Sequence, residues 1–595
     1  MSKEPRNIPA SLKRDIFVSE ISNESELINE FEFPEFIEPT LERIEVIAKF
    51  NGDIVRVAQS LDAEAEIIYE NYAIITIAKD KIKRLASYPQ IEHLELPKNL
   101  YFELSSSLSS SCIPSVQRVD GFNLSGRGVI VAIIDSGIDY MHPDFRNNDG
   151  TSRILFIWDQ TQSGTPPVGF YSGAEYNNQQ INNAILSETP YQVVPSRDTN
   201  GHGTAVAGIA AGNGRASNGT NRGVAFEADI IAVKVGYRGY ESFARSTELM
   251  RALKYVIDKA KRFGKPVCIN MSFGMNNGSH KGDSLFETFI TEISSNWKTS
   301  IVIPTGNEGV AGHHYHGKIQ TDEVQEIEFF RGPGLETSYL SLWKNFADNF
   351  AVELIFPDGS SSGVINIENQ VKTVRRPNLI LNVFYGQPSH YSLEQEVFFN
   401  ITATQGPLPQ GIVKLRLIAR NIVDGNYDIW LPTIEEVGEE TFFSDPSIYN
   451  TITIPATAEK VVRVAGYNAR VGNIALFSGR GDLADTNSYP DIAAPSIDII
   501  TTKSGGGYDS FTGTSVAAPF VTGSAALMMQ WGIINNNDPY LYGQRLRAFL
   551  RIGAERKTGI VYPNASFGYG TLCLYNTMNY LVEYQLGEQF WLNLT

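Results

Sequence analysis

Three side chains that together can activate a nucleophile stand in distinctive local contexts: Asp135 in VIVAIIDSGID, His202 in DTNGHGTAVAGIAAG and Ser515 in FTGTSVAAPFVTGSAAL. A hydroxyl attacks poorly until a base takes its proton, and an imidazole serves as that base best when a carboxylate fixes its tautomer and supports its charged form. A fourth segment, PTGNEG around Asn307, offers a side-chain amide of the kind that stabilises an oxyanion. Singly, each has a plainer use: Asp135 could end a strand, His202 sit in a turn, Ser515 cap a helix and Asn307 turn the chain. Jointly they point to acyl transfer.

The flanking residues describe the elements that must position this set. Val129 to Ile134 is an unbroken apolar run, as a parallel strand buried on both faces requires, with Asp135 at its carboxyl end, where open α/β sheets gather ligands. Gly201 and Gly203 leave room around the imidazole. The small residues that follow predict a helix lying close to the sheet, so that His202 projects from the start of a rigid element. Ser515 opens a second such helix near the positive end of its dipole. Pro519 is expected in the first turn of that helix, where a missing N–H costs nothing. Ile230–Val235 and Val267–Ser272 read as further buried strands around an amphipathic helix, Ser246–Phe263. Thr161 to Ser196 reads as a surface loop, and Asp198 and Asp229 as scaffold or loop carboxylates.

The order Asp, His, Ser separates this chain from chymotrypsin-like sequences and from α/β-hydrolases, which order the same residues differently. With Asp-Ser-Gly at 135 to 137, Gly-His-Gly-Thr at 201 to 204, Pro-Thr-Gly-Asn-Glu-Gly at 304 to 309 and Gly-Thr-Ser-Val-Ala-Ala-Pro at 513 to 519, it resembles the subtilase family. The resemblance implies an α/β fold, a subtilisin-like three-layer structure around a parallel sheet. It also implies a serine endopeptidase with Ser515 as nucleophile, His202 as base, Asp135 as its orienting carboxylate, and the oxyanion held by Asn307 with the Ser515 N–H. Ser272, Phe273 and Gly274 would form the edge that pairs with an extended substrate main chain. Val516 stands where the family commonly has methionine. No cofactor is expected. Many subtilases bind structural calcium in loops; Asn213 to Arg222 does not match such a loop convincingly, which leaves calcium undecided by the sequence. His313-His314-Tyr315-His316 lacks a carboxylate or cysteine in sequence to complete a metal pattern, and is expected to be a loop bordering the cleft.

Before the first motif, Arg43–Phe50, Glu66–Ala78 and Ile91–Leu96 read as strands, and Asp53–Leu61 and Lys79–Tyr88 as helices. This α+β unit, a βαββαβ pattern with two strands in Glu66–Ala78, is similar to the inhibitor-like prodomains of subtilases, which lie in the cleft and are cut by their own enzyme. The Ser-rich segment that follows suits a linker, with self-cleavage expected between Asn99 and Cys112. From Gly317 to Pro455, alternating segments such as VQEIEFF, FAVELIF and VKLRLIARN predict an inserted all-β sandwich of the jelly-roll kind. The expected divisions are therefore 1–104, 105–316, 317–455 and 456–595. That arrangement is similar to the germination subtilases of clostridial spores, which activate the zymogen of a cortex-degrading hydrolase. The expected partners are a protein or peptide substrate and the chain's own prodomain; a prodomain-blocked scaffold that binds or senses is the alternative.

Composition sets limits. Across 595 residues the net charge is −17, which argues against nucleic acid as a partner, since phosphate binding needs a basic face. Cys112, Cys268 and Cys573 are too few and too dispersed for a disulfide framework, so reduced thiols are expected. Neither a signal-peptide pattern nor an apolar run of the ~18 to 20 residues needed to cross a bilayer stands out. No membrane partner is expected, and the expected location is cytoplasmic or spore-associated.

Overall fold

A computed structural model of the chain describes residues 43–69, 72–95, 109–235, 246–366, 371–386 and 393–592. The chain divides into two units, Met1–Tyr101 and Phe102–Thr595. In the first, four antiparallel strands take the spatial order Glu64–Tyr69, Tyr72–Ala78, Arg43–Phe50, Ile91–Glu95. The stretch Glu66–Ala78, read as the two adjacent strands of a βαββαβ pattern, forms a hairpin. Val46, Ala48 and Phe50 alternate inward with Ala73, Ile75 and Ile77, and Ile54, Val57 and Ala58 of the helix Ile54–Ser60 close over them. Asp53 caps that helix by accepting the Arg56 amide at 3.0 Å.

The second unit is built on an eight-stranded sheet. Its spatial order is Ile492–Pro495, Val462–Tyr467, Thr299–Pro304, Val267–Met271, Ile130–Asp135, Asp229–Lys234, Ile154–Asp159, Ala174–Asn177. Seven strands are parallel and the last edge strand is antiparallel. The central strand shows why its sequence is uniformly apolar. Val131 and Ile133 join one core with the helices His202–Ala211 and Thr514–Met529, whereas Ile130, Ala132 and Ile134 join the other with the helix Ser246–Phe263. That last helix contributes Leu249, Leu253, Val256 and Ala260, a stripe at helical spacing. The layers are helices, sheet, helices.

The segment expected as a loop, Thr161 to Ser196, contains the edge strand Ala174–Asn177 and the helix Asn178–Leu186. The signal was local: Asn177 and Gln180 form a reciprocal capping box inside a polar stretch. The apolar run Thr514–Ile534 is long and apolar enough to cross a bilayer, contrary to the reading above, but 89% of its most apolar window is buried in the protein core.

Between His314 and Phe443 the chain forms two antiparallel sheets. One orders His314–Lys318, Asn426–Trp430, Thr337–Asn345, Glu394–Ala403, Leu379–Tyr385 and Val371–Arg376; the other orders Asn349–Ile355, Gly411–Asn421, Val324–Arg331 and Phe442–Phe443. Alternate residues such as Leu340 and Leu342, Val397 and Phe399, and Val413, Leu415 and Leu417 meet in a core of their own.

Cys112 and Cys573, expected as free thiols, form a disulfide with Cα atoms 4.8 Å apart across 461 residues of sequence. Only the tertiary fold brings them together: Leu574 N donates to Ser111 O at 2.9 Å alongside the bridge. Cys268 is the free, buried thiol. Cys573→Ser, or reduction of the wild type, is expected to lower unfolding stability by about 2–4 kcal/mol. Identical melting curves with and without reductant would contradict the bridge.

Candidate active site

Asp135 ends the central strand and is 2% exposed. Its Oδ1 accepts from His202 Nδ1 at 2.7 Å and from the Ser136 amide at 2.7 Å. His202 is the first residue of its helix, so its ring stands at the helix mouth with Nδ1 committed to the carboxylate. Gly203 makes the approach possible. A Cβ there would lie 2.2 Å from the Gly137 carbonyl oxygen and 3.1 Å from Asp135 Cβ. The glycine therefore makes room for the neighbouring backbone rather than for the imidazole, and Gly201 supplies a left-handed turn at φ +88°.

The His202 side chain remains 31% exposed. Burial pushes its pKa down, but the Asp135 charge and hydrogen bond, with the Asp198 charge behind them, outweigh this and raise it above the ordinary value.

Asp198, read from sequence as a scaffold or loop carboxylate, organises this corner. Its two oxygens accept from the Gly201 and Thr204 amides, each at 2.8 Å, and from the hydroxyls of Ser136 at 2.8 Å and Thr204 at 2.6 Å. It thereby takes one free amide of the His202 helix and one just before it, and its charge complements the positive dipole; the His202 and Gly203 amides go to Asn200 Oδ1 at 3.2 Å and Ser136 Oγ at 2.9 Å. At the other end of that helix the buried Arg153 donates to the Ala211 carbonyl at 2.5 Å. The spacing Asp198-x-x-Gly201 before a helix of small residues was the available signal. Asp229, by contrast, starts a strand and pairs with Lys265, away from this set.

Ser515 is the second residue of the helix Thr514–Met529, and its amide has no hydrogen bond among the described residues. Pro519 lies in the second turn, not the first. It would otherwise have bonded the Ser515 carbonyl, which instead accepts from Ser272 Oγ at 3.4 Å. Asn307 follows the strand Thr299–Pro304. Its Oδ1 accepts from the Thr514 amide and hydroxyl, each at 3.1 Å, which leaves the amide nitrogen as a donor facing the cleft. Nδ2 reaches Glu435 Oε1 at 3.3 Å. Among the described residues no hydrogen bond joins Ser515 Oγ to His202.

Asp135, His202, Asn307, Ser515 and the segment Ser272–Gly274 line one cleft of about 940 Å³. The inserted sheets form part of its wall, through Tyr339 and Asn400 and through Glu435 and Glu436 on a short turn of helix, Ile434–Val437. The expectation of a loop at His313–His316 is corrected. His314 begins the first inserted strand, and its Nε2 lies 2.9 Å from Asp428. His313 Nδ1 lies 2.5 Å from the buried Glu308, which also accepts from the Ile434 amide at 2.9 Å. Asp428 arrives from a strand of the same inserted sheet that is distant in sequence, whereas Glu308, five residues before His313, ties the insertion to the loop that carries Asn307 through the Ile434 amide. Among the described residues no group of three or more His, Cys, Asp or Glu side chains is placed to hold a metal ion.

A model of the Csp protease B prodomain matches residues 20–98. The solved structure of the Clostridium perfringens CspB protease is 37% identical, with a TM-score of 0.74, over 80% of this chain and 97% of that one. Among curated proteins, a PII-type proteinase of Lacticaseibacillus paracasei is 25% identical over 81% of this chain, and the minor extracellular protease Vpr of Bacillus subtilis is 24% identical over 78%. The chain spans about a quarter of the length of the first of these, at 27%, and about half of the second, at 53%. The subtilase family model itself matches residues 126–335 and 425–570, the two stretches that carry every cleft residue outside the inserted sheets. More than half of the chain lies within that match, and the chain belongs to the subtilase family.

Proposed function

We propose that this protein is a serine endopeptidase that cuts protein substrates through an acyl-enzyme. The observation that carries the reading is the 2.7 Å contact between Asp135 and His202 in a cleft shared with Ser515 and with an Asn307 amide oriented by Thr514. Ser515 Oγ attacks the scissile carbonyl carbon and its proton passes to His202 Nε2. The carbonyl oxygen becomes an oxyanion held by Asn307 Nδ2 and the Ser515 amide. Collapse breaks the C–N bond, and His202 returns the proton to the leaving amine. Water, deprotonated by the same imidazole, then hydrolyses the ester. Asp135 supports the imidazolium at each stage, and Glu435 must leave Asn307 before the oxyanion forms.

The match to a Csp protease B prodomain supports maturation by self-cleavage after that unit, with the prodomain bound in the cleft beforehand. The expected cut lies between Asn99 and Cys112, of which residues 99–108 fall outside the described residues. By resemblance to the germination subtilases, the substrate would be the zymogen of a cortex-degrading hydrolase, in a cytoplasmic or spore-associated setting.

Intact mass measurement of the wild type beside Ser515→Ala tests the reading directly. The wild type is expected as two fragments divided between Asn99 and Cys112, and the variant as one full-length chain. If both stay whole, a blocked scaffold that binds without cutting becomes the better account. Asn307→Ala is expected to lower turnover about 100- to 1,000-fold with little change in KM, as loss of one oxyanion donor does. The base must be neutral to act. The raised His202 pKa therefore places the acid limb of kcat/KM above the ordinary imidazole value of about 6.5, with activity lost as pH falls through it. In Asp135→Asn that limb is expected to move to lower pH and turnover to fall by about 10,000-fold. A wild-type limb at or below 6.5 would contradict the pairing.

A further inference from the structure

After the inserted sheets the chain returns directly beneath the cleft. Thr453 N donates to Thr305 O at 3.1 Å, and Ile454 and Met275 exchange both backbone bonds at 2.9 Å. The returning segment therefore laces together two edges of the cleft, Ser272–Met275 on one side and Pro304–Asn307 on the other. If the carbonyl under attack sits between Ser515 Oγ and Asn307 Nδ2, the side chain of the residue that owns that carbonyl descends between these edges.

The space there is already occupied. Gly274 and Gly306 present bare faces to it. A Cβ on Gly274 would lie 2.5 Å from Thr453 Oγ1, and one on Gly306 would lie 2.4 Å from Oγ1 and 2.5 Å from Cγ2 of the same residue. The Thr453 side chain thus fills the notch that the two glycines open. It is 2% exposed, it lines the cleft, and its hydroxyl has no hydrogen-bond partner among the described residues. A buried hydroxyl left unpaired is unfavourable, and a small polar group entering from the cleft would satisfy it. The segment expected to be self-cleaved offers such groups in two runs, Ser105–Ser107 and Ser109–Ser111.

We propose that Thr453 is a specificity-determining residue. It forms the floor of the subsite for the side chain on the acyl side of the scissile bond and restricts that side chain to about the size of alanine or serine. This rests on the endopeptidase reading and names the substrate class that follows from it: protein segments cut after a small residue, serine above all.

The test uses the purified full chain and matched peptides that differ only in the residue before the scissile bond: Ala, Ser, Leu or Phe. Wild-type kcat/KM is expected to favour Ala and Ser over Leu and Phe by about 100-fold or more, the scale on which a closed pocket rejects extra methylenes. Thr453→Ala is expected to bring Leu to within about tenfold of Ala. Thr453→Val, which keeps the shape but not the hydroxyl, is expected to keep the size limit while lowering the preference for Ser over Ala. The self-cleaved wild type is expected to begin immediately after a serine. Wild-type cleavage after Leu or Phe as fast as after Ala would overturn the proposal and leave the endopeptidase reading intact. An unchanged size limit in a folded Thr453→Ala would overturn Thr453 as its cause. Should that variant not fold, the wild-type profile and the self-cleavage position decide. Failure to cut any peptide or the chain itself would overturn the endopeptidase reading and this proposal with it.

Discussion

The arrangement of the site depends on one buried carboxylate that does no chemistry. Asp198 takes the Thr204 amide in the first turn of the helix that starts at His202, the Gly201 amide just before that helix and, through Ser136, the turn that follows Asp135. A helix end and a strand end are thereby tied to the same group. The carboxylate–imidazole contact at 2.7 Å can persist because both of its bearers are fixed by a third. The same negative charge reinforces Asp135 in holding the imidazole more basic than it would otherwise be. Arg153 completes the restraint by taking the carbonyl at the far end of the helix.

What the sequence made legible follows from how locally each feature is encoded. The central strand was readable because a strand covered on both faces needs apolar residues at every position, and Val129–Ile134 has them. The gathering of Asp135, His202, Asn307 and Ser515 in one cleft was readable because small residues and glycines pack around such groups in a recognisable pattern. Asp198 was readable as a scaffold carboxylate, but not which groups it holds, because those contacts depend on geometry with Ser136, 62 residues away. The Cys112–Cys573 contact was invisible for the same reason. Pro519 was placed one turn early: it is the sixth residue from Thr514 and the fifth even from Ser515, beyond the amides that a helix start leaves without partners. The helix Asn178–Leu186 was lost in a polar stretch whose capping box was the one usable sign.

The inserted sheets were expected as a separate body, but their edges belong to the cleft. Glu308, next to the amide at Asn307, accepts from both His313 and the Ile434 amide. The turn of helix bearing Glu435 and Glu436 is therefore held by the loop that carries the amide. A β-sandwich with a core of its own thus delivers side chains to a site built by another sheet, and its return segment closes the floor. The alternating pattern that reveals such a sandwich says nothing about which of its loops face a neighbour.

The bridge between Cys112 and Cys573 turns most of the second unit into a covalent ring. Asp135, His202, Asn307, Ser515 and both inserted sheets lie within its circumference. Removal of everything before Cys112 leaves that ring closed, so the new chain end stays moored to the C-terminal helix Leu574–Leu592. One further cut in any exposed loop of the ring opens it without dividing it: the pieces remain a single molecule, held by packing and by the bridge. Such a topology gives the folded unit a tolerance for nicks that a linear chain lacks.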